Sequence, residues 1–370
     1  MARLLTIVVV LSLAAPVFAD TIRVDWLGTG DYESIGEGVA AAGAGDTVLV
    51  APGTYMGENN RDIYVLDEMT IMSEGGRRSV TINAQGEGIG FRFEDFSANS
   101  VLSGFTIQNG SDTSSGGGVV CDGCATTITD CSFVACTATA MGGGLFAGDG
   151  ATPTLIDVTF TSCQSDVGAG MCALAATPSL TRVRFAGNMA VRRGGGLYCE
   201  SAPGMVEVTD CVFHNNSVIN AGTGGGGLWL FSCPGTITGT TFTRNRANLG
   251  TCVRLSNGAS ATIENCILSF GRWGRALHRG GDGEPVTTTR CVVYGNEYDD
   301  VIVGTVTDTL LRDPRFCGML GGDLTLCSNS PALPDHNPWT VLMGAHGEGC
   351  GDCNSPVEDA TWGRIKELYR

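Results

Sequence analysis

Asp130, Asp157, Arg182 and Asp210 each stand three residues before a recurrent apolar anchor, and Arg184 follows Arg182 by two. If copies of a repeat stack, Asp130 and Asp157 fall on adjacent copies, close enough to repel or to share a cation such as calcium. A metal and an arginine on one face acidify the carbon beside a carboxylate, so that a base can remove its proton. These five residues are therefore a candidate face for an acidic glycan. The plainer reading of the same column is a surface ladder of alternating charge that sets register, and it takes precedence.

The thiols form the second group. Cys136 and Cys163 occupy the same turn position in consecutive copies, and stacked equivalents about 4.8 Å apart lie within disulfide reach. Cys266 and Cys291 are equivalent neighbours on an inward column, where a bridge and a pair of buried free thiols are both open. Cys121-x-x-Cys124 and Cys350-x-x-Cys353 have metal-ligand spacing, and the second pair with Cys317 and Cys327 would make a four-thiolate zinc site. Disulfides are the preferred reading in an exported chain. His346, alone in a loop, reads as solvated. Trp229, Trp273 and Tyr294 would stack on sugar rings if exposed, but isolated aromatics more often pack.

Export is expected from the first residues. Arg3 precedes an apolar run from Leu4 to Ala15, and small Val17 and Ala19 are placed for cleavage before Asp20, so residues 1–19 read as a signal peptide. The sixteen cysteines suit an oxidising compartment. No later stretch is long and apolar enough for a membrane-spanning helix. The net charge of −16, with Lys366 the sole lysine, argues against nucleic acid or anionic lipid as partner. That charge is uneven: between Arg182 and Arg290 eleven arginines face six acids, a surplus of five positive charges that leaves −21 for the rest. An anionic ligand belongs on that half.

Self-similarity dictates the architecture. One apolar position recurs as Phe105, Phe133, Phe160, Phe185, Phe213, Phe242, Leu268 and Val293, at spacings of 25 to 29 residues. Between these anchors lies a glycine column, as in Gly142-Gly143-Gly144-Leu145 and Gly194-Gly195-Gly196-Leu197. Each copy holds short β-rich runs separated by turn residues and cannot bury its apolar face alone. Stacking copies builds parallel sheets around a continuous core. Within runs such as TDCSF and TDCVF the third and fifth residues point inward. Three residues after the anchor, Asn188, Asn216, Asn245 and Asn296 fit a left-handed turn whose amides bond the copies above and below.

This alternation of GG-x-[hydrophobic] with F-x-x-N resembles the repeat of chlamydial polymorphic membrane proteins and, more broadly, the pectate-lyase-like right-handed β-helix superfamily, over roughly residues 100–300. The resemblance implies an all-β fold, a single right-handed parallel β-helix spanning residues 20–310. It speaks to architecture rather than activity. At the N-terminus, Asp31 is expected to cap a short helix that covers the first coil. Residues 311–355 read as an irregular, cysteine-containing C-terminal cap. Residues 356–370 read as a short amphipathic tail with Trp362, Ile365, Leu368 and Tyr369 at helical spacing.

Signatures of known β-helix enzymes are incomplete. The fragments Asp299-Asp300, Ala345-His346-Gly347 and Arg364-Ile365-Lys366 evoke polygalacturonases, but the last two lie outside the repeating copies. The coils are uniformly short, with the largest insertion around Ser217–Gly224, whereas an enzyme groove needs long flanking loops. The expectation is an exported, non-catalytic surface module that adheres to carbohydrate or serves structurally, its partner an acidic polysaccharide or cell-surface glycan. A polysaccharide lyase is the alternative.

Overall fold

The computed structural model describes residues 19–94, 99–220, 222, 224–281 and 285–353. The expected signal peptide and amphipathic tail, with Lys366, lie essentially outside them. Among the described residues the chain winds about twelve coils of a parallel β-solenoid. A first sheet of twelve strands runs from Thr21–Val24 to Thr305–Thr307, and a second of ten from Gly53–Tyr55 to Val292–Tyr294. A third sheet of nine runs from Ile63–Val65 to Leu277–Arg279. Between the second and third, a five-stranded shelf runs from Ser111–Asp112 to Ser217–Val218. No helix among the described residues is long and apolar enough to cross a membrane.

The anchors stack as column neighbours. Ring centroids of Phe133, Phe160, Phe185, Phe213 and Phe242 follow one another at 4.8, 4.9, 4.7 and 4.7 Å with nearly parallel planes, all fully buried. Leu268 and Val293 continue the column. Phe105 does not begin it: Phe133 pairs with Ile107, and Phe105 with Val80.

The glycine column exists because the phenylalanines need its space. A Cβ on Gly196 would lie 2.8 Å from Cδ1 of Phe213 and 2.6 Å from the Gly227 carbonyl oxygen. We therefore expect Gly196→Ala to cost about 1–3 kcal/mol by overpacking, read as a shift of the urea midpoint at unchanged slope.

At the corner after the second sheet, Asn188 Nδ2 donates to Asn216 Oδ1 at 2.9 Å, and Asn216 Nδ2 to Asn245 Oδ1 at 3.0 Å. The same amides donate to the carbonyls of Phe160 and Phe185 one coil below. Cys136 and Cys163 extend this column as free thiols rather than as the expected disulfide. Their sulfurs donate to the carbonyls of Ile107 and Phe133 at 3.6 and 3.8 Å, taking the place of the asparagine amide. Cys266 and Cys291 are also separate; the Cys291 sulfur accepts from the Cys266 N–H at 3.4 Å.

The helix over the first coil is Ile35–Ala41, and its cap is Ser34, not Asp31. Ser34 Oγ accepts from the Glu37 N–H and donates to the Glu37 carboxylate, a side-chain N-cap. Asp31 instead accepts the Arg23 N–H at 2.8 Å.

The cysteine-rich C-terminal region is a flap along the side of the solenoid rather than a lid over its end. Ile302 and Val303 pack against the last of the core. The chain then returns along the outer face of the second sheet, where Leu326, Ala332, Leu333 and Met343 cover the outward side chains of Ile267 and Val292. Strands Phe316–Gly318, Asp323–Cys327 and Glu348–Cys350 form its small sheet. Disulfides Cys317–Cys350 and Cys327–Cys353 staple it, so these four sulfurs bridge in pairs instead of holding zinc.

Candidate functional site

The structure separates the five residues of the candidate face. Asp130, Asp157, Arg182 and Asp210 are the first residue of the two-residue corner between the first and second sheets, each with φ between 49° and 56°. Arg182 holds Asp157 through two hydrogen bonds of 2.8 Å, and this keeps the Asp157 carboxyl below its ordinary value. Arg77 approaches Asp130 at 3.4 Å and donates to the Asp157 carbonyl at 2.6 Å. A calcium ion between Asp130 and Asp157 would have to displace both arginines, so this geometry fits the metal poorly. The column is an exposed charge ladder, and such pairs contribute little. Asp157→Asn is expected to change unfolding free energy by less than about 1 kcal/mol in urea titrations.

Arg184 has a different environment. Its strand, Arg184–Ala186, belongs to the second sheet, and alternation sends Arg184 outward while Phe185 points in. The flap closes over it: Arg184 Nη2 donates to the Gly322 carbonyl at 3.3 Å. One coil on, His214 lies on the neighbouring outward column beside buried Phe213. The next coil supplies Arg244, at a left-handed corner. From the flap come His346 and Asp323, which lowers its carboxyl by accepting from the Thr325 hydroxyl and N–H.

These groups act on one another. Burial, with Arg184 and Arg244 nearby, pushes His214 down to about 4. His346 is lowered by burial and by Arg184, against the opposing pull of Asp323. Burial lowers Arg184, and burial with Arg272 lowers Arg244. Nδ1 of His214 is buried without a hydrogen-bond partner, and neither Arg184, Arg244 nor Arg272 forms an ion pair among the described residues. The result is a half-buried basic hollow between sheet and flap. It can receive an anion, and its neutral imidazole can accept a proton.

Only Arg184 of the sequence candidates lies here. His214 and Arg244 were legible as part of the arginine-rich half, but nothing local marked them. His346 is half-buried in the hollow rather than solvated in a loop. Of the enzyme-like fragments, Asp300 accepts from the Gly295 and Asn296 N–H groups, Asp299 pairs with Arg275, and Arg364-Ile365-Lys366 lies outside the described residues. Of the three aromatics, Trp229 and Tyr294 pack, and Trp273 is 39% exposed beneath the Arg246 guanidinium.

A family model described as the right handed beta helix region matches residues 118–315. Among solved structures, the pectate lyase Pel9A is similar over 89% of this chain and 96% of its own, at 13% identity and a TM-score of 0.51. A rhamnogalacturonan lyase is similar over 95% and 99%, at 10% identity and a TM-score of 0.42. These likenesses concern the fold alone. No curated protein matches the sequence.

Proposed function

The chain belongs to the right-handed β-helix family, and on that premise we propose that it is an exported, non-catalytic protein that binds acidic polysaccharide, with a uronate carboxylate entering the basic hollow. The observation that carries this reading is the pair of partly buried cations Arg184 and Arg244, without an ion-pair partner among the described residues, around the unpartnered neutral imidazole of His214. Desolvated like charges are costly, and a carboxylate that enters them gains charge-assisted hydrogen bonds. The reading is supported by the name of the similarly folded pectate lyase, since pectate is an acidic polysaccharide. The test is calorimetric titration with oligogalacturonate and oligoalginate. The double variant Arg184→Gln/Arg244→Gln should lose about tenfold or more in affinity, and Asp157→Asn should lose none. Equal affinity of the double variant and the parent would sink the proposal.

The pH dependence has opposite signs with and without ligand. His214 titrates near 4 in the folded chain and near 6.5 unfolded, so the unfolded state binds more protons between those values. Unliganded stability therefore falls as pH drops from 6.5 toward 4. A bound carboxylate favours the imidazolium, and affinity should rise about threefold or more from pH 7 to pH 5, where uronates remain ionised. His214→Gln should reduce both trends, leaving the share of His346, whose pKa is lowered in the same hollow, as measured by thermal melts and titration.

One observation favours the alternative of glycan cleavage. A neutral His214 beside two arginines is placed to take the proton next to a neutralised carboxylate. Appearance of an unsaturated, ultraviolet-absorbing product from polyuronate, abolished by His214→Gln, would replace binding with β-elimination as the function of the same hollow.

A further inference from the structure

The outer face of the third sheet carries a second group of cations, on the far side of the shelf from the hollow. Tyr198, Trp229 and Arg254 are register neighbours on three consecutive coils of one outward column. From the shelf strand Met189–Arg193, Arg193 reaches across and donates to Tyr198 Oη at 2.9 Å. Tyr198 donates on to Glu200 Oε2 at 2.8 Å, and Glu200 lies 3.8 Å from Arg193. The Arg193 guanidinium sits 5.5 Å from the Trp229 ring centre, and that of Arg254 sits 3.9 Å from it. The Trp229 indole N–H is held by Ser256 Oγ at 2.8 Å, which fixes the plane on which the arginines rest.

Two guanidinium groups thus share one indole, while Glu200, the carboxylate beside them among the described residues, is already committed to Tyr198 and Arg193. Among the described residues, Arg254 Nε and Nη1 are buried without partners, and the charged and titratable groups that act on Arg254 are Arg193 and Tyr198, with no carboxylate among them. Stacking on Trp229 orients the guanidinium and leaves its in-plane N–H donors for another group. Arg193 keeps 37% of its side chain exposed and Arg254 is half-buried, so the approach from solvent is on the Arg193 side.

We propose that this face is a second oxyanion site, in which a carboxylate or sulfate ester of an acidic saccharide sits between Arg193 and Arg254. It depends on neither the hollow nor its ligand. Bound oxygens relieve the repulsion between the two arginines and supply the acceptor that Arg254 lacks. Planar, bidentate recognition requires arginine, and lysine would supply charge without the fork.

The experiment titrates the full mature chain with inorganic sulfate and, separately, with galacturonate, by calorimetry and by tryptophan emission. We expect saturable binding of at least one probe, and which one binds identifies the source of the oxyanion. Read by the tryptophan signal, Arg254→Gln should weaken it about tenfold, Arg254→Lys should restore less than half of that loss in free energy, and Arg184→Gln/Arg244→Gln, which removes the heat of binding at the hollow, should leave the emission change intact. An unchanged affinity in Arg254→Gln, or a loss confined to the Arg184/Arg244 variant, overturns the proposal. Should Arg254→Gln fail to fold, the parent chain decides: a probe-dependent change in emission that disappears in Trp229→Phe supports the site, and no such change refutes it.

Discussion

Replacing Phe213 by alanine should lower the free energy of unfolding by about 3–5 kcal/mol, the largest effect expected of any single truncation in the core. The ring is fully buried and stacked on both sides, against Phe185 and Phe242 at 4.7 Å each. Its removal forfeits two aromatic contacts as well as the buried area. The void does not collapse easily, because hydrogen bonds on three sheets hold the coils above and below. A solenoid couples only neighbours, so amides of the adjacent coils should exchange faster while the N-terminal coils stay protected. The glycine column gives a sharper check: the added methyl of Gly196→Ala clashes with the Phe213 ring and the Gly227 carbonyl. It should cost less in the Phe213→Ala background, a coupling measurable by a double-mutant cycle. A loss below about 1 kcal/mol for Phe213→Ala would mean that the stacked column does not hold the coils together.

The second large effect concerns the flap. Cys317→Ser with Cys327→Ser removes bridges that close sequence separations of 33 and 26 residues, and each bridge is worth about 2–4 kcal/mol to the region it closes. The flap has only a small apolar cluster of its own, around Ile267, Val292, Leu326 and Met343. Without the staples it should detach while the coils remain. The expected signature is an unchanged far-ultraviolet dichroism spectrum, protease cleavage between residues 311 and 353, and loss of oligouronate binding as His346 and the Gly322 carbonyl leave Arg184. Retained binding after complete reduction would remove the flap from the hollow.

The coil architecture was legible because its causes repeat. A phenylalanine that needs a glycine beside it leaves the same mark in five successive coils, and an asparagine that bonds its own copy does so in three. The slip at Phe105 shows the limit of that signal. A shift of one residue moves side chains to the wrong face, whereas a shift of two preserves inside and outside. Phe105 and Ile107 are both fully buried, and alternation could not choose between them. The thiols were ambiguous for a related reason: a stacking distance that permits a disulfide also permits two sulfurs bonded to carbonyls. The hollow was out of reach. Gly322 meets Arg184 across 138 residues, and the flap that brings it there has no repeat to betray its position.

The flap also works as a gauge of coil number. It touches the solenoid from Arg184, through Thr241, to Val292, and its two bridges fix its own span. Gaining or losing one coil within that stretch would carry Arg184 a full step away from Gly322 and unmake the hollow. Among the described residues, coils ahead of Phe160 carry none of these contacts. Growth and shrinkage of this protein by duplication should therefore be confined to its N-terminal half.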